Sequence, residues 1–520
     1  MLDDTTHTMR RSNVININRL LIAFALVAAV LAHVPALPRV AGPLRADSTL
    51  LAMATRQPAS RVSVIVRTLV ADQSAERWVA ERGGTVTSNL PIINGFAAEL
   101  PAQQITGLAR LASVAWVSRD APVESAVCSS CVSAANLVNN YIYAIHANQV
   151  WDGGLQGQGI GVAVVDSGIN LKNDLLAPSG VSRVVASVAF HNGLNQTTSD
   201  GYGHGTHIAG IIGGNGYASN GQYIGVAPRV NLINVKVSDD RNEGVGTAKS
   251  VVQGLQWILQ HKTIYNIRVV NISINSAEAE SYHTNPIDAA AEILWINGIV
   301  VVTSAGNRGA DAIYPPANDP FVITVGATDD RDTATLADDR VASFSAYGRT
   351  SDGFDKPDLV APGKNIVSLL GGRQRGMPAH HPGNIVSRVY FRMSGTSVSA
   401  PMVAAAAALL LQDEPALTPD QVKYRLMATA NTGWAGYSRH SAGAGYLDIY
   451  AAVNGSTTAS ANTNIPISRA LWGDANTDNG FNWNSVNWNS VNWNSVNWNS
   501  VNWNSVNWNS VNWNSDYWGE

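Results

Sequence analysis

With 520 residues and 45% hydrophobic content, the chain is long enough for more than one folding unit and a substantial core. A net charge of −4 and a charged content of 14% leave no basic surface for nucleic acid. The two cysteines, Cys128 and Cys131, share one CSSC stretch, which excludes a disulfide framework and lacks the second ligand pair of a structural zinc site.

Residues 1–46 read as a targeting segment. Arg10, Arg11 and Arg19 precede the apolar run Leu20–Ala32, which is short for a membrane span and suits a signal h-region. Small residues, among them Ala36 and Ala41, follow. Export with cleavage is therefore expected, with no stable membrane span after processing; an uncleaved anchor is the alternative.

Residues 57–123 change texture. RVSVIVRTL alternates as a strand does, SAERWVAERGG reads as a helix with a glycine stop, and TVTSNLPIINGFAAEL as two short strands. PAQQITGLARLA is a helix with proline near its start, and VAWVSRDAPVE closes with a strand. This β-α-β-β-α-β order predicts a small ferredoxin-like α+β domain. A linker over 124–145 follows and holds both cysteines, either as a local disulfide or as spacer thiols lost on processing.

Residues 146–455 alternate strands and helices, predicting an α/β domain with a mostly parallel sheet covered by helices on both faces. VAVVD, RVVASVAF, VNLINVKV, VVNISI, GIVVVTSAGN and PFVITVGAT are the expected buried strands. In chain order, three turns within this domain carry chemistry. GIGVAVVDSGIN ends a β-branched strand in Asp166, placing a carboxylate at the C-terminal edge where ligand groups collect in open α/β sheets. DGYGHGTHIAGIIGG sets His204 between glycines ahead of a small-residue helix. FRMSGTSVSAP delivers Ser397 to the start of the apolar helix MVAAAAALLLQ, where unpaired N–H groups and the helix dipole favour a developing negative charge. Singly these are an N-cap aspartate, a loop histidine and an N-cap serine. Together they supply a nucleophilic alcohol, a base to take its proton and a carboxylate to fix the base's tautomer.

DSG, GHGTHIAG and SGTSVSAP, in the order Asp, His, Ser, resemble the subtilisin-like (subtilase) serine peptidases. Sedolisin-type relatives share an SGTS serine but lack the HGTH histidine. The resemblance covers residues 146–455 and implies a serine endopeptidase with Asp166, His204 and Ser397 as its triad, needing no cofactor for the chemistry. It further implies that Asn307, in VVTSAGNRG, donates to the oxyanion beside the Ser397 N–H. Gly244, Val245 and Gly246 resemble one substrate-binding edge strand, and Ser273, Ile274 and Asn275 the opposite edge, so that protein and peptide substrates bind largely through their backbone. Ser304, Ala305 and Gly306 would line the first specificity pocket and admit a large apolar side chain. Asn275 stands where the family usually has glycine, which puts that pocket's shape in question; Arg308 would disfavour Lys or Arg there.

Asp174 lies where many relatives have a calcium ligand, with Gly213–Gly225 as the loop that would supply carbonyls, so the resemblance implies structural calcium there, although only one carboxylate is evident. DANTDNG, Asp474 to Gly480, opens like an EF-hand loop, but Ser485 stands in place of the bidentate glutamate, and a polar turn is favoured. The insert between Gly363 and Arg392, with His380 and His381, reads as a surface loop near Ser397. The domain at 57–123 resembles an inhibitor-type propeptide, implying a zymogen whose own pro-segment is an intramolecular inhibitor cut between Val123 and Asn140.

Residues 456–481 form a Ser/Thr/Asn/Ala linker, and 482–520 carry NWNSV repeats with tryptophans at 483, 488, 493, 498, 503, 508 and 513. Stacked short coils, a tail offering indoles to glycans or a cell surface, and plain disorder are all open readings. The reading as a whole is a secreted, self-processing endopeptidase of broad specificity with an apolar preference at the cleaved position. Its rival is a non-catalytic surface protein that uses a peptidase-like scaffold to present the tryptophan tail.

Overall fold

Alternation in the Arg61–Thr68 strand sets the first sheet between two layers. In the computed structural model, which describes residues 44–69, 73–125, 140–151, 153–191, 197–240, 244–372, 376–468 and 471, this strand is β1. Its neighbours in sequence are helix α1 (Ser48–Arg56) before it, then α2 (Ser74–Glu81), β2 (Thr85–Leu90), β3 (Gly95–Pro101), α3 (Ile105–Leu108) and β4 (Val114–Arg119). The sheet order is β2-β3-β1-β4, antiparallel throughout. Val62, Val64 and Val66 point to one face and pack with Leu50 of α1, Val79 of α2 and Ile105 of α3. Ile65, one residue out of phase, points the other way and joins Leu90, Ile93 and Ala97 in the core of the following domain. The N-terminal sheet is thus roofed by its own helices and floored by its neighbour.

Helix α1 and the residues before it extend past the sequence boundaries of 46 and 57. Ala46 bridges Val117 of β4, Arg45 donates to the Val114 carbonyl, and Asp47 caps α1 by accepting from the Leu50 N–H. The nine-residue helix commits a single fully buried side chain, Leu50, too sparse a pattern to stand out in sequence.

The chain then runs through β5 (Pro122–Ser125), β6 (Gly161–Asp166), β7 (Val184–Ala189), α4 (His204–Gly213), β8 (Asn231–Lys236), β9 (Gly246–Thr247), α5 (Ala248–His261), β10 (Ile267–Ile272), β11 (Ile274–Ser276), α6 (Pro286–Ile296), β12 (Val300–Ser304), β13 (Ile323–Asp329) and β14 (Arg340–Val341). After these come β15 (Leu359–Pro362), β16 (Ile366–Leu369), β17 (Tyr390–Met393), α7 (Thr396–Asp413) and α8 (Pro419–Ala428). The main sheet has the order β14-β13-β12-β10-β6-β8-β7, with β15 also on β13. Every pair is parallel except β13–β14. Every residue of β6 is buried, as a central strand covered on both faces requires. From β6 the chain winds first toward β7 and β8 and then back past β6 to β10, β12 and β13. Residues at the C-terminal ends of β6 and β10 therefore flank a topological switch point, where α/β sheets open a crevice.

Helix α7 is the one helix among the described residues long and apolar enough to cross a membrane, but it is buried under β10, β12 and β13. The insert between Gly363 and Arg392 is more than a surface loop: its ends pair as an antiparallel hairpin, Ile366 opposite Met393, because both strands are fully buried. Part of the linker expected from 456 is docked. Ser468 is buried, its N–H donates to both Glu292 oxygens, and the Pro466 carbonyl accepts from the Tyr282 hydroxyl. The apolar leader, the CSSC stretch, the DANTDNG turn and the NWNSV repeats lie outside the described residues.

Candidate active site

Asp166 ends β6 and His204 begins α4. The Asp166 carboxylate (Oδ1) lies 2.7 Å from His204 Nδ1 and also accepts from the Ser167 N–H at 2.7 Å. Both side chains are buried. The carboxylate fixes Nδ1 as the protonated nitrogen, and Nε2, buried and without a hydrogen-bond partner among the described residues, is left as the acceptor. Glycine at 205 is required by close approach: a Cβ there would run into the Gly168 carbonyl and the Asp166 side chain. One turn on, His207 donates from Nε2 to the Phe391 carbonyl of β17 at 3.1 Å, tying α4 to the strand that leads to Ser397. Burial, and then His204 beside it, push the His207 pKa down to about 3, so it is neutral and structural.

Asp200 is a site residue that motif reading passes over. Its carboxylate accepts from Ser167 Oγ (2.9 Å), the Gly203 N–H (2.6 Å), the Thr206 N–H (2.8 Å) and Thr206 Oγ1 (2.5 Å). Ser167 Oγ in turn accepts from the Gly205 N–H at 2.9 Å. The turn carrying His204 is thereby clamped from both sides by a second buried carboxylate. Its only trace in sequence is an acidic residue just ahead of the GYGHGT turn.

Ser397 sits in the first turn of α7. Its carbonyl accepts from Ser273 Oγ at 2.9 Å, and Ser273 Oγ accepts from Asn271 Nδ2, so β10 is laced to the base of the serine helix. Asn307 follows β12. Its Oδ1 accepts from the Thr396 N–H (2.9 Å) and from Thr396 Oγ1 (3.0 Å), which orients the amide and leaves the buried Nδ2 without a partner among the described residues. An oriented, unspent donor beside the helix N-terminus is what an oxyanion needs.

The two expected edge strands flank a cleft, and β5, which follows the N-terminal sheet, fills it. The order is β11-β5-β9, antiparallel on both sides. Val123, Glu124 and Ser125 face Ser276, Asn275 and Ile274, while Pro122 and Val123 face Thr247 and Gly246. Ala248 N–H to the Ala121 carbonyl and Ala277 N–H to the Pro122 carbonyl extend the ladders. Of the trio expected on the first edge, Gly246 pairs with the inserted strand. Gly244 instead lies against the Tyr202 ring with φ +77°, and the Val245 carbonyl accepts from the Asp239 N–H. The expected pro-domain boundary at 123 cuts through β5. Ser304, Ala305 and Gly306 are buried and face β11, but Asn275 reaches across to them: its Nδ2 donates to the Ser304 carbonyl at 2.9 Å.

Asp174 and its surroundings do not fit a calcium ion. One Asp174 oxygen accepts from the Ala218 N–H (2.8 Å) and the other from the Tyr390 hydroxyl (2.5 Å). The Arg183 guanidinium takes the carbonyls of Asp174, Gly213 and Val230. With a single carboxylate whose two oxygens each already accept a hydrogen bond, and a cation supplied by arginine, a set of six to eight free oxygens is not assembled here. His380 and His381 have no acidic companions, and no group of three metal-ligating side chains converges among the described residues.

A buried aspartate–histidine pair and a serine opening a buried helix, with an oriented amide beside it at the switch point of a parallel sheet, define a serine hydrolase. Residues 157–447 match the family model described as "Subtilase family". Serine protease AprX of Bacillus subtilis (strain 168) is 38% identical over 330 residues, spanning 61% of this chain and 72% of AprX. Subtilisin Savinase of Lederbergia lenta is 33% identical over 293 residues, 56% of this chain and 90% of that protein. The crystal structure of fervidolysin from Fervidobacterium pennivorans, a keratinolytic enzyme related to subtilisin, superposes with a TM-score of 0.58 at 25% identity over 77% of this chain, which spans 62% of fervidolysin. The chain belongs to the subtilase family, the subtilisin-like serine endopeptidases.

Proposed function

We propose that the protein is a secreted, broad-acting endopeptidase made as a zymogen, with Ser397 as nucleophile, His204 as general base and Asp166 as the group that orients it. His204 Nε2 takes the hydroxyl proton as Ser397 Oγ bonds to the scissile carbonyl carbon. The resulting oxyanion is held by Asn307 Nδ2 and the Ser397 N–H. His204 returns the proton to the leaving amine, the C–N bond breaks and an acyl-enzyme remains. Water, deprotonated by His204, then releases the acid and regenerates Ser397. The observation that carries this reading is the 2.7 Å Asp166–His204 contact, which leaves Nε2 as the unspent base. The 0% exposure of both His204 and Ser397 fits a site covered by its own pro-segment.

The zymogen reading is supported by β5, seated antiparallel between β9 and β11 as an extended substrate would be. Maturation falls between Val123 and Asn140, and the Leu20–Ala32 run supports export. Labelling of the mature enzyme by a serine-directed phosphonate, lost in Ser397→Ala, tests the chemistry. N-terminal sequencing of the secreted form tests export and processing. An S397A chain that still matures unaided, or still hydrolyses an unfolded protein, refutes the assignment.

A further inference from the structure

We propose, resting on the peptidase role above, that Asn275 closes the first specificity pocket, so that the enzyme cleaves after residues with small side chains and rejects aromatic, long aliphatic and basic ones. A substrate strand in the register of β5 has successive residues opposite Ser276, Asn275 and Ile274. One residue further on it lies opposite Ser273, whose hydroxyl touches the Ser397 carbonyl. That residue is the one presented for attack. Directly opposed residues of an antiparallel pair share a face, and so do residues two apart along a strand. The side chain at the cleaved position therefore points to the same face as Asn275, its diagonal neighbour.

Asn275 already occupies that face. Its Nδ2 donates to the Ser304 carbonyl at 2.9 Å, and its Oδ1 accepts from Ser304 Oγ at 3.4 Å. The same Oδ1 lies 3.5 Å from where a Cβ on Gly306 would stand. The amide thus spans the gap between β11 and the Ser304–Gly306 segment, the two walls that would have to part for a large side chain. It is buried and hydrogen-bonded at both ends, so swinging it aside costs both bonds and leaves the Ser304 carbonyl only the long 3.5 Å contact from Thr303 Oγ1. Arg308 makes a second tie between the same walls. Its Nη1 reaches the Ser276 carbonyl at 3.4 Å and its guanidinium stacks 4.3 Å above the Tyr314 ring, leaving a fixed positive charge at the rim. Beyond Asn275 the lining is small: Ala305, Ala317 and Ala346 cluster with Ile313. Removing the Asn275 side chain would open onto a neutral apolar slot. Rejection of large residues comes from a built obstruction rather than from weaker attraction.

The test uses mature enzyme processed from the full chain and peptides that differ only at the cleaved residue: Ala, Leu, Phe or Lys. The expected result is a kcat/KM for Ala at least about tenfold above those for Phe, Leu and Lys. Asn275→Gly, which keeps the backbone ladder, raises the Phe-to-Ala ratio of kcat/KM by about tenfold or more. Asn275→Ala falls between. Because the Phe-to-Ala ratio is independent of the fraction of folded enzyme, a poorly folding variant still gives a reading. A native enzyme that prefers Phe or Leu, or a ratio unmoved in both variants, overturns the proposal while leaving the peptidase assignment intact. Failure to cleave any of the peptides, with no phosphonate label on Ser397, would overturn both.

Discussion

Replacing Asp200 by alanine separates a clamp on the base from a bystander beside it. The carboxylate accepts four hydrogen bonds, from Ser167 Oγ, the Gly203 N–H, and the N–H and hydroxyl of Thr206. The two hydroxyls can turn to other acceptors, but the two backbone N–H groups are fixed by the turn and become buried orphans. At about 1–3 kcal/mol for each orphaned donor, with the charged acceptor toward the upper end, the loss is about 3–5 kcal/mol. For a domain of this size that is a fall in Tm of about 5–8 °C. Calorimetry on D200A in an S397A background measures it without self-digestion. The same turn positions His204 through Gly205 N–H, Ser167 Oγ and Asp200. A displacement of about 1 Å at the base costs about 100-fold, so kcat should fall by about that factor while KM changes by less than about threefold. A D200A enzyme with Tm within about 1 °C of its parent and an unchanged kcat would show that the clamp does nothing.

Asn307→Ala should lower kcat by about 10²–10³ with little change in KM, because its Nδ2 is spent only on the developing oxyanion; an equal loss in ground-state affinity would refute this. Glu280 accepts from Asn285 and meets Asp47 of the N-terminal unit, with Glu278 close by; burial first, then Asp47, push its carboxyl up to about 8. Its protonated form favours the assembled state, so stability is full below about 4.5 and is lost as pH rises through about 8, by up to about 1.4 kcal/mol per unit. Unfolding of the S397A chain between pH 5 and 9 should show that decline, and Glu280→Gln should flatten it. Since both Asp174 oxygens are engaged, by Ala218 and Tyr390, a chelator should not lower Tm through this site, whereas Tyr390→Phe should lower it by a few degrees. A large drop with chelator alone would restore the calcium expectation.

The turns carrying Asp166, His204 and Ser397 were legible as motifs because local sterics leave a mark in the residue types. Gly205 is glycine because the Gly168 carbonyl sits where its Cβ would be, and β6 reads as an unbroken apolar run because both its faces are covered. What escaped the sequence depends on contacts between distant segments. Asp200 looks like any loop aspartate until four donors converge on it. Helix α1 buries only one side chain fully, Leu50, and the chain near Ser468 has a linker's composition yet is pinned by Glu292. Asn275 was visible as a departure from glycine, but its consequence was not, since that depends on the opposing wall lying within reach of its amide.

The geometry of the cleft assigns affinity and discrimination to different atoms. As named strands, β9 has two residues and β11 three, each too short to form a sheet of its own. Backbone groups on their facing edges are paired by a strand laid between them, and β5 does this with Pro122, Val123, Glu124 and Ser125. Those bonds are made to the backbone, so on the zymogen proposal an extended substrate segment free of steric conflict would replace β5 on the same ladders. Selectivity must then come from side chains that touch the residue nearest Ser397, and on that face the walls are joined by Asn275. The proposed specificity then predicts that sequence matters little along the strand and side-chain size matters at its end. If β5 is the pro-segment's inhibitory strand, as proposed, it acts alongside the packing of the N-terminal sheet on the following domain, so a variant that loosens β5 without touching β9 or β11, such as Val123→Gly opposite Gly246, should speed maturation and leave the mature enzyme's kcat/KM unaltered. Slower maturation in that variant would mean that β5 is needed to build the site, not merely to cover it.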